Sequence, residues 1–322
     1  MMIKRKLNKI YSHNKLRLHS SERNSEWNEV FDEFKNNLSD KDIRFYPNLQ
    51  YLINPLSNFF GTKNFIFGNG SDRCIKYFFE LNSNYKNIII NSPTFPMYNV
   101  YGNIFNKNIV EVSYTDLFFP IDDFLNKITK DSITIISNPS SPVGDIISKD
   151  NIYKILSFGV PTLIDEAYVE FSDAESMIKE IDNFDNLYVT RTFSKAFGSA
   201  GARFGLIFSN KKNIEKLYQY RDMYEVNGLT MKWILALLNN MDKSYEYINN
   251  VKRNRKILFN MFKEKKYDVI MSNCNWIYVK GLNTKRIKNI IFKENCYLPN
   301  LGSDWTRLQI TDKINDYLCL LE

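Results

Sequence analysis

Residues 189–205 read VTRTFSKAFGSAGARFG and place one lysine just after a predicted β-strand, inside a run of small residues. The strand LYVTR (187–191) ends shortly before Lys195. The alanines and glycines around this lysine let the backbone approach a bulky ligand. A lysine that is desolvated near another cation has a lowered pKa and becomes a Schiff-base nucleophile. The segment therefore predicts a lysine-centred site in which Arg203 could hold a phosphate, and a basic surface loop is the alternative.

A sheet covered by helices is predicted around this segment. Short apolar strands that alternate with helices are typical of a sheet with helices on both faces, and the central block of the chain shows this alternation. Strands are predicted near 88–91 and 134–137 and at 162–165, 187–191 and 204–209, and helices at 25–38, 71–81, 120–129 and 148–157.

A second, smaller α+β domain is predicted from about residue 213 onwards, where long helical patterns precede short strands. The helix at 25–38 is expected to join it. The predicted helices are 213–222, 228–240, 243–265, 284–294 and 312–321, and the predicted strands are 274–280 and 306–310. We therefore divide the chain into an N-terminal arm (1–24), a discontinuous small domain (25–44 and 213–322) and a large domain (45–212).

Polar or aromatic residues stand just after four of the predicted strands of the large domain. Ligands of α/β sheets bind beyond the carboxyl ends of the strands, so we expect these residues to meet in one crevice. They are an aromatic ring (Phe95), a turn with hydroxyl groups (138–142), a carboxylate (Asp165), a phenol (Tyr168) and Lys195.

The turn FGNGSD (67–72) is a candidate phosphate site. Gly68 and Gly70 frame a tight turn before a helix that begins near Ser71. Free backbone N–H groups and the helix dipole at such a start can bind a phosphate. An ordinary helix start, capped by Ser71 or Asp72, is the alternative.

The segment TLIDEAY (162–168) places a carboxylate at the end of a buried strand. Burying Asp165 without a partner would be costly, so it is a candidate to pair with a buried cation such as a protonated pyridine nitrogen. Tyr168 could bind the same ligand. The alternative is an aspartate that caps the next helix.

The composition excludes several classes of protein. The chain has 322 residues, of which 44% are hydrophobic, and this content excludes bulk disorder. No run approaches the roughly 18 apolar residues of a membrane helix. The 43 basic and 36 acidic residues give a net charge of +7 that is scattered along the chain. This charge is compatible with a small anionic substrate, and we expect neither a nucleic-acid nor a membrane partner.

Cysteine and histidine usage indicates the compartment and the chemistry. The four cysteines form no CxxC pair, and the basic start MMIKRKLNKIYSH lacks the apolar segment of a secretory signal. We therefore expect a cytoplasmic protein with free thiols. The two histidines, His13 and His19, argue against a histidine-rich metal site, so we expect no metal and a different proton-transferring side chain.

Together these motifs resemble the fold-type I pyridoxal-phosphate enzymes, in particular the histidinol-phosphate aminotransferase branch of the class I and II aminotransferases. The resemblance covers about residues 15–312 in family order, and RTFSKAFG followed by GAR is its most specific part. The matching pieces are FYPN (45–48), GNGSD (68–72), SPTFPMY (92–98), SNPSSPVG (137–144), IDEAYVEF (164–171), RTFSKAFGSAGARFG (191–205) and WTRLQI (305–310).

The resemblance implies a fold, a cofactor and roles for the residues at the strand ends. The fold would be a large domain with a mostly parallel mixed sheet between helices, plus the smaller α+β domain. Lys195 would bind pyridoxal 5′-phosphate as a Schiff base and shuttle the substrate proton. Asp165 would keep the pyridine nitrogen protonated. Tyr168 would donate a hydrogen bond to the ring's 3-oxygen, and Phe95 would stack on the ring.

The resemblance also implies a phosphate site, a substrate anchor and a partner subunit. Arg307 would bind the substrate carboxylate through its planar fork. Tyr46 would reach the cofactor phosphate of the neighbouring subunit, which implies a homodimer with active sites at the interface. The implied ligands of this chain's own cofactor phosphate are Gly70, Ser71, Asp72, Thr192 and Arg203.

Some positions depart from the family pattern. Ser141 stands where the family has an asparagine that contacts the 3-oxygen of the cofactor. Pro299 stands about where histidinol-phosphate enzymes have an arginine for the substrate phosphate. SSERN (20–24) replaces the usual NENP, and Arg73 replaces a common acidic residue. The resemblance therefore supports the cofactor chemistry more than a histidine-pathway substrate.

Three function classes stay open at this point. The first is an aminotransferase that moves an amino group between an amino acid and a keto acid, aldehyde or ketone. The second is a pyridoxal-phosphate decarboxylase or lyase of an amino acid, for example a phosphorylated one, which shares Lys195 and Asp165. The third is a binding module that has kept the fold without catalysis.

Overall fold

The computed structural model describes residues 16–283, 290–292, 298, 301–302 and 304–320. Its strands are β1 (Leu16–Leu18), β2 (Phe65–Asn69), β3 (Asn87–Ser92), β4 (Asn108–Ser113), β5 (Ser132–Ser137), β6 (Thr162–Asp165), β7 (Leu187–Thr192), β8 (Phe204–Phe208), β9 (Val269–Met271), β10 (Trp276–Lys280), β11 (Ile290–Phe292) and β12 (Trp305–Gln309). Its α-helices are α1 (Asn28–Asn36), α2 (Lys41–Arg44), α3 (Gln50–Phe60), α4 (Ser71–Leu81), α5 (Pro96–Ile104), α6 (Ile121–Lys127), α7 (Lys149–Leu156), α8 (Lys211–Leu217), α9 (Gly228–Asn239) and α10 (Met241–Glu264).

A seven-stranded mixed sheet forms the centre of the larger body, in the order β2-β8-β7-β6-β5-β3-β4. The strands from β7 to β4 are parallel to one another, whereas β8 runs antiparallel to both β7 and β2. The central strands are rich in β-branched residues and are buried along their length, as expected for parallel strands covered on both faces. The predicted large domain with a mostly parallel mixed sheet is confirmed.

The register of the parallel strands brings residues at or near their carboxyl ends side by side. Ser137 at the end of β5 lies beside Asp165 at the end of β6, and Asp165 lies beside Thr190 of β7. The sequence therefore places a hydroxyl, a carboxylate and a second hydroxyl along one edge of the sheet. Ligands of such sheets bind at this carboxyl edge.

A smaller antiparallel sheet, in the order β12-β10-β9, packs with the long helix α10. Trp276, Leu308 and Leu258 lie in its buried cluster, which also takes in Tyr168 from the larger body. The predicted second, smaller α+β unit is therefore present.

The N-terminal arm contributes a strand, because β1 pairs in parallel with β11. The helix predicted near 284–294 is wrong for the described part of that range, since Ile290–Phe292 is a strand. Three consecutive β-branched and aromatic residues favour a strand, and a run this short has no periodicity that separates it from a helix. The rest of that predicted range lies outside the described residues.

The position of α1 bears on the predicted domain boundaries. Val30 of α1 and Ile234 of α9 lie in the same buried cluster as Leu52 and Phe208 of the larger body. These contacts favour assigning both helices to the larger body. The predicted division places them in the small domain (25–44 and 213–322) and stays a proposal. Within the described ranges, no helix has both the length and the apolar character to cross a membrane.

Candidate active site

A cavity of about 470 Å³ opens at the carboxyl edge of the large sheet. Its walls come from the strand ends, the start of α4, the loop after β7 and the N-terminal arm. The lining residues are Ser20, Glu22, Ser71, Asp72, Phe95, Tyr98, Ser137, Ser141, Asp165, Ala167, Tyr168, Thr192, Ser194, Lys195, Ala200, Gly201 and Arg203. The cavity thus brings together most of the residues that the strand ends and the resemblance predicted.

Asp165 is a buried carboxylate, 4% exposed, that faces this cavity. Its Oδ2 accepts a hydrogen bond from the Tyr98 hydroxyl at 2.7 Å, and its Oδ1 accepts one from the Thr190 hydroxyl at 3.0 Å. Burial raises the pKa of Asp165, and the two hydroxyl donors partly offset that rise. No cationic side chain of the described residues forms an ion pair with it, so it suits a ligand that brings a positive charge.

The turn before α4 has the geometry of an anion site. Gly70 is the N-cap residue of the helix, with a φ of 76°, and it has no side chain with which to cap the first helical turn. A Cβ on Gly70 would lie 2.3 Å from Nη2 of Arg203, so only glycine leaves room for that guanidinium. Arg203 Nη2 also donates to Asp72 at 3.1 Å. Uncapped N–H groups at the start of a helix and an adjacent arginine can together bind a phosphate.

Lys195 lies half-buried in the cavity wall, where its Nζ donates to the Ser20 carbonyl of the arm at 2.7 Å. Its Nζ is also 5.8 Å from the centre of the Tyr168 ring. The lysine is therefore placed between the strand ends and the arm, and within the described residues it has no carboxylate partner that would hold its charge.

The other predicted lining residues occupy separate walls of the cavity. The Phe95 ring meets the Tyr98 ring edge-on at 5.6 Å, and the Tyr168 ring meets Trp276 edge-on at 4.9 Å. Thr192 is buried at the end of β7, where its hydroxyl accepts from the Ser194 N–H. Ser141 is half-buried in the turn after β5 and lines the cavity.

Arg307 lies behind the arm rather than in the cavity wall. It is 4% exposed, and its Nη2 donates to the His19 carbonyl at 2.8 Å. Its guanidinium carbon lies 4.8 Å from the Trp276 ring centre. No carboxylate of the described residues pairs with it, which makes Arg307 a buried cation that suits an anionic ligand.

Tyr46 is not part of this chain's cavity. It is 77% exposed and stacks on Tyr224, with the ring centroids 4.1 Å apart. The contact of Tyr46 with the cofactor phosphate of a neighbouring subunit therefore stays a prediction. Pro299, the position that departs from the histidinol-phosphate pattern, lies outside the described residues.

Sequence reasoning missed several residues of the site, among them Tyr98, Thr190, Ser20 and Glu22. Tyr98 stands three residues after Phe95, so helical spacing could have placed both on one side of α5. The strand pairing that sets Thr190 beside Asp165 is not visible in local sequence. Ser20 and Glu22 lie in SSERN (20–24), which departs from the family pattern. The resemblance therefore did not indicate that this segment lines the cavity.

The arrangement suits a flat ligand that has a protonated ring nitrogen and a phosphate. Asp165 offers an unpaired carboxylate, the Gly70 turn and Arg203 offer an anion site, and Lys195 offers an amine in the same cavity. These are the groups that a pyridoxal-phosphate site requires: a carboxylate for the ring nitrogen, a phosphate cradle and a lysine. The residues present therefore fit this cofactor.

The chain matches known proteins over nearly its whole length. The family model described as aminotransferase class I and II matches residues 13–319. Histidinol-phosphate aminotransferase from Christiangramia forsetii is 32% identical over 299 residues, which cover 85% of this chain and 85% of that protein. The protein of the same name from Pyrococcus furiosus is 31% identical over 292 residues, which cover 86% of this chain and 85% of that protein.

The fold also matches a solved structure. Histidinol-phosphate aminotransferase from Sinorhizobium meliloti, in complex with pyridoxal 5′-phosphate, superposes with a TM-score of 0.81 at 20% identity. The match covers 95% of this chain and 88% of that one. With the family match and the sequence identities above, these findings show that the chain belongs to the class I and II aminotransferase family and is a pyridoxal-phosphate-dependent aminotransferase.

Proposed function

We propose that this aminotransferase moves an amino group between an amino acid and a keto acid or other carbonyl acceptor, with Lys195 as the lysine that binds the cofactor. The observation that carries the proposal is that Lys195 and Asp165 line the same cavity. The Asp165 carboxylate is buried and has no cationic partner among the described residues. The relatives named as aminotransferases favour this reaction over a binding module that has kept the fold without catalysis.

The floor of the cavity is proposed to hold the cofactor, which supplies an electron sink for the substrate's Cα when it is bound. Asp165 would keep the ring nitrogen protonated, and Phe95 would cover one face of the ring. Tyr168 and Ser141 would donate to the ring's 3-oxygen. The proposed phosphate ligands are Gly70, Ser71, Asp72, Thr192 and Arg203.

Lys195 is proposed to act as the base as well as the cofactor-binding lysine. Its Nζ would take the proton from the substrate Cα and deliver it to the adjacent reacting carbon. The hydrogen bond from Nζ to the Ser20 carbonyl shows that the amine reaches the arm side of the cavity. Lys195 and Asp165 therefore have separate tasks, the first moving a proton and the second holding one on the ring nitrogen.

The amino donor is proposed to have an anionic group next to its amino-bearing carbon, because Arg307 is a buried cation with no carboxylate partner among the described residues. The curated relatives are named for histidinol phosphate. We propose that this chain uses that substrate poorly, because Pro299 replaces the arginine expected for its phosphate. Steady-state kinetics on plain and phosphorylated amino donors test this point, and efficient turnover of histidinol phosphate would contradict it.

A homodimer is proposed to complete the enzyme. Phe45, Tyr46 and Tyr51 are 60%, 77% and 64% exposed, and Ile43 and Met223 beside them are 70% and 80% exposed. Exposed apolar surface of this kind marks an interaction site. Tyr46 would then contact the cofactor phosphate of the partner subunit. A cytoplasmic location is proposed from the free, buried thiols of Cys74 and Cys274.

A single half-reaction tests the proposed function. Enzyme loaded with pyridoxal 5′-phosphate is mixed with an amino donor and no acceptor, and its absorbance, keto acid and carbon dioxide are measured. We expect one keto acid per active site, bleaching of the cofactor band, and recovery of that band when a keto acid is added. Stoichiometric carbon dioxide would instead indicate the decarboxylase alternative, and the Lys195→Ala variant provides the blank.

A further inference from the structure

Tyr98 makes a contact with Asp165 that neither the motifs nor the proposed roles explain. It lies on α5, its side chain is 0% exposed, and its hydroxyl donates to Oδ2 of Asp165 at 2.7 Å. The same ring packs edge-on against Phe95. One side chain therefore touches both the carboxylate and the aromatic ring that are proposed to hold the cofactor.

Two hydroxyl donors fix the orientation of the Asp165 carboxylate. The Tyr98 hydroxyl donates to one carboxylate oxygen and the Thr190 hydroxyl donates to the other. The carboxylate therefore cannot rotate without losing a hydrogen bond. Hydrogen bonds to a charged group are stronger than neutral ones and favour its charged form. Burial and the nearby charge of Asp165 raise the pKa of Tyr98 well above its usual value, so the phenol stays protonated and remains a donor.

We infer that Tyr98 is a positioning residue that keeps Asp165 ionised and aligned for the ring nitrogen of the cofactor. This inference rests on the proposed function of Asp165. It assigns the task to the hydroxyl of Tyr98 rather than to its ring, because the ring's packing against Phe95 would survive the loss of the oxygen.

The test compares two cofactors on the Tyr98→Phe variant, which keeps the ring and removes the hydroxyl. The first cofactor is pyridoxal 5′-phosphate, and the second is its analogue in which CH replaces the ring nitrogen. Binding is measured by equilibrium dialysis against the apoenzyme. We expect Tyr98→Phe to weaken binding of the natural cofactor about tenfold and binding of the analogue less than about twofold, since the analogue has no nitrogen for Asp165 to hold.

Kinetics and a double-variant cycle give a second readout. Tyr98→Phe is expected to lower kcat about ten- to a hundredfold, which corresponds to one lost charge-assisted hydrogen bond, with little change in the donor KM. In the Asp165→Asn background the same substitution should have almost no further effect, because Tyr98 acts through Asp165. The matched control is Tyr188→Phe, a buried tyrosine of the same cluster that makes no contact with Asp165.

The inference is overturned if Tyr98→Phe weakens both cofactors equally, since that pattern indicates packing alone. It is also overturned if the variant matches wild type in binding and kcat. If Tyr98→Phe does not fold, Thr190→Val removes the other hydroxyl and must show the same cofactor-dependent pattern, or the inference fails. The half-reaction of the wild-type enzyme tests the proposed function separately, so failure of one can be told from failure of the other.

Discussion

The floor of the cavity and the arm that covers it differ in how their buried polar atoms are partnered. On the floor, both oxygens of Asp165 accept hydrogen bonds, and the donors Tyr98 and Thr190 are themselves buried. In the arm and in or beside the small sheet, several buried polar atoms have no hydrogen-bond partner among the described residues. They are Ser21 Oγ, Arg23 Nη1, Ser25 Oγ, both amide atoms of Asn275, Trp276 Nε1, Arg307 Nε and Gln309 Oε1.

From this difference we propose two stages of binding. A buried polar atom without a partner costs about 1–3 kcal/mol, so the arm packs at a disadvantage against the small sheet. The floor has no such cost at Asp165 and is already arranged for the cofactor. The arm gives backbone carbonyls to Lys195 and Arg307, the two cations proposed to act on the substrate. We therefore expect the floor to bind the cofactor without rearrangement. We expect the arm to pack stably over the cavity only when substrate binds.

The largest effect is expected from Lys195→Ala, because Lys195 lines the cavity and also donates to the Ser20 carbonyl of the arm. Turnover should fall at least about a thousandfold, since both the cofactor link and the base are lost. Borohydride reduction should no longer fix the cofactor to the chain. Lys149→Ala, at a partly exposed lysine paired with Glu180, is the matched control and should keep both properties. Near-normal activity of Lys195→Ala would show that another lysine serves the site.

Asp165→Asn changes only the floor of the cavity. Removing one partner of a buried ion pair costs about 3–5 kcal/mol. If this loss falls on the transition state, kcat should drop on the order of a hundred- to a thousandfold. The donor KM should change little, because the arm is untouched. A variant within tenfold of wild type in kcat would show that Asp165 does not hold the ring nitrogen.

Arg307→Lys tests the cover of the cavity, by which we mean the N-terminal arm together with Arg307, which donates to it. The substitution keeps the charge but removes the planar fork, and one charge-assisted hydrogen bond is worth about 1.5–3 kcal/mol. The donor KM should therefore rise roughly ten- to a hundredfold, with cofactor binding unchanged. Arg253→Lys, at an exposed arginine of α10, is the control. An unchanged KM in Arg307→Lys would mean that the donor's anionic group lies elsewhere.

Ser141→Asn should have the smallest effect. A better donor to the ring's 3-oxygen disfavours the protonated form of the lysine–cofactor link, so the midpoint of the absorbance titration should fall, by less than about one pH unit. Wild type and variant are titrated side by side. A midpoint that stays or rises would place the turn at 138–144 differently from the family pattern.

The sequence allowed prediction of the floor better than of the cover. Lys195 and Asp165 follow strands whose apolar runs are visible locally, and the carboxyl-edge rule brings them together. The hydroxyl of Tyr98 could not be assigned, because its contact with Asp165 depends on how α5 packs beside β6. The strand β1 was missed because its partner β11 is distant in the chain, and no local pattern reports such pairing.

Hydrogen exchange tests the difference between floor and cover most directly. Cofactor-loaded enzyme is compared with and without an α-methyl amino acid, which has no Cα proton to lose and so stays bound. We expect backbone amides of residues 16–25 to exchange at least about tenfold more slowly once this ligand is bound, and those of 162–168 to be protected throughout. Equal protection of both segments before the ligand is added would contradict the account.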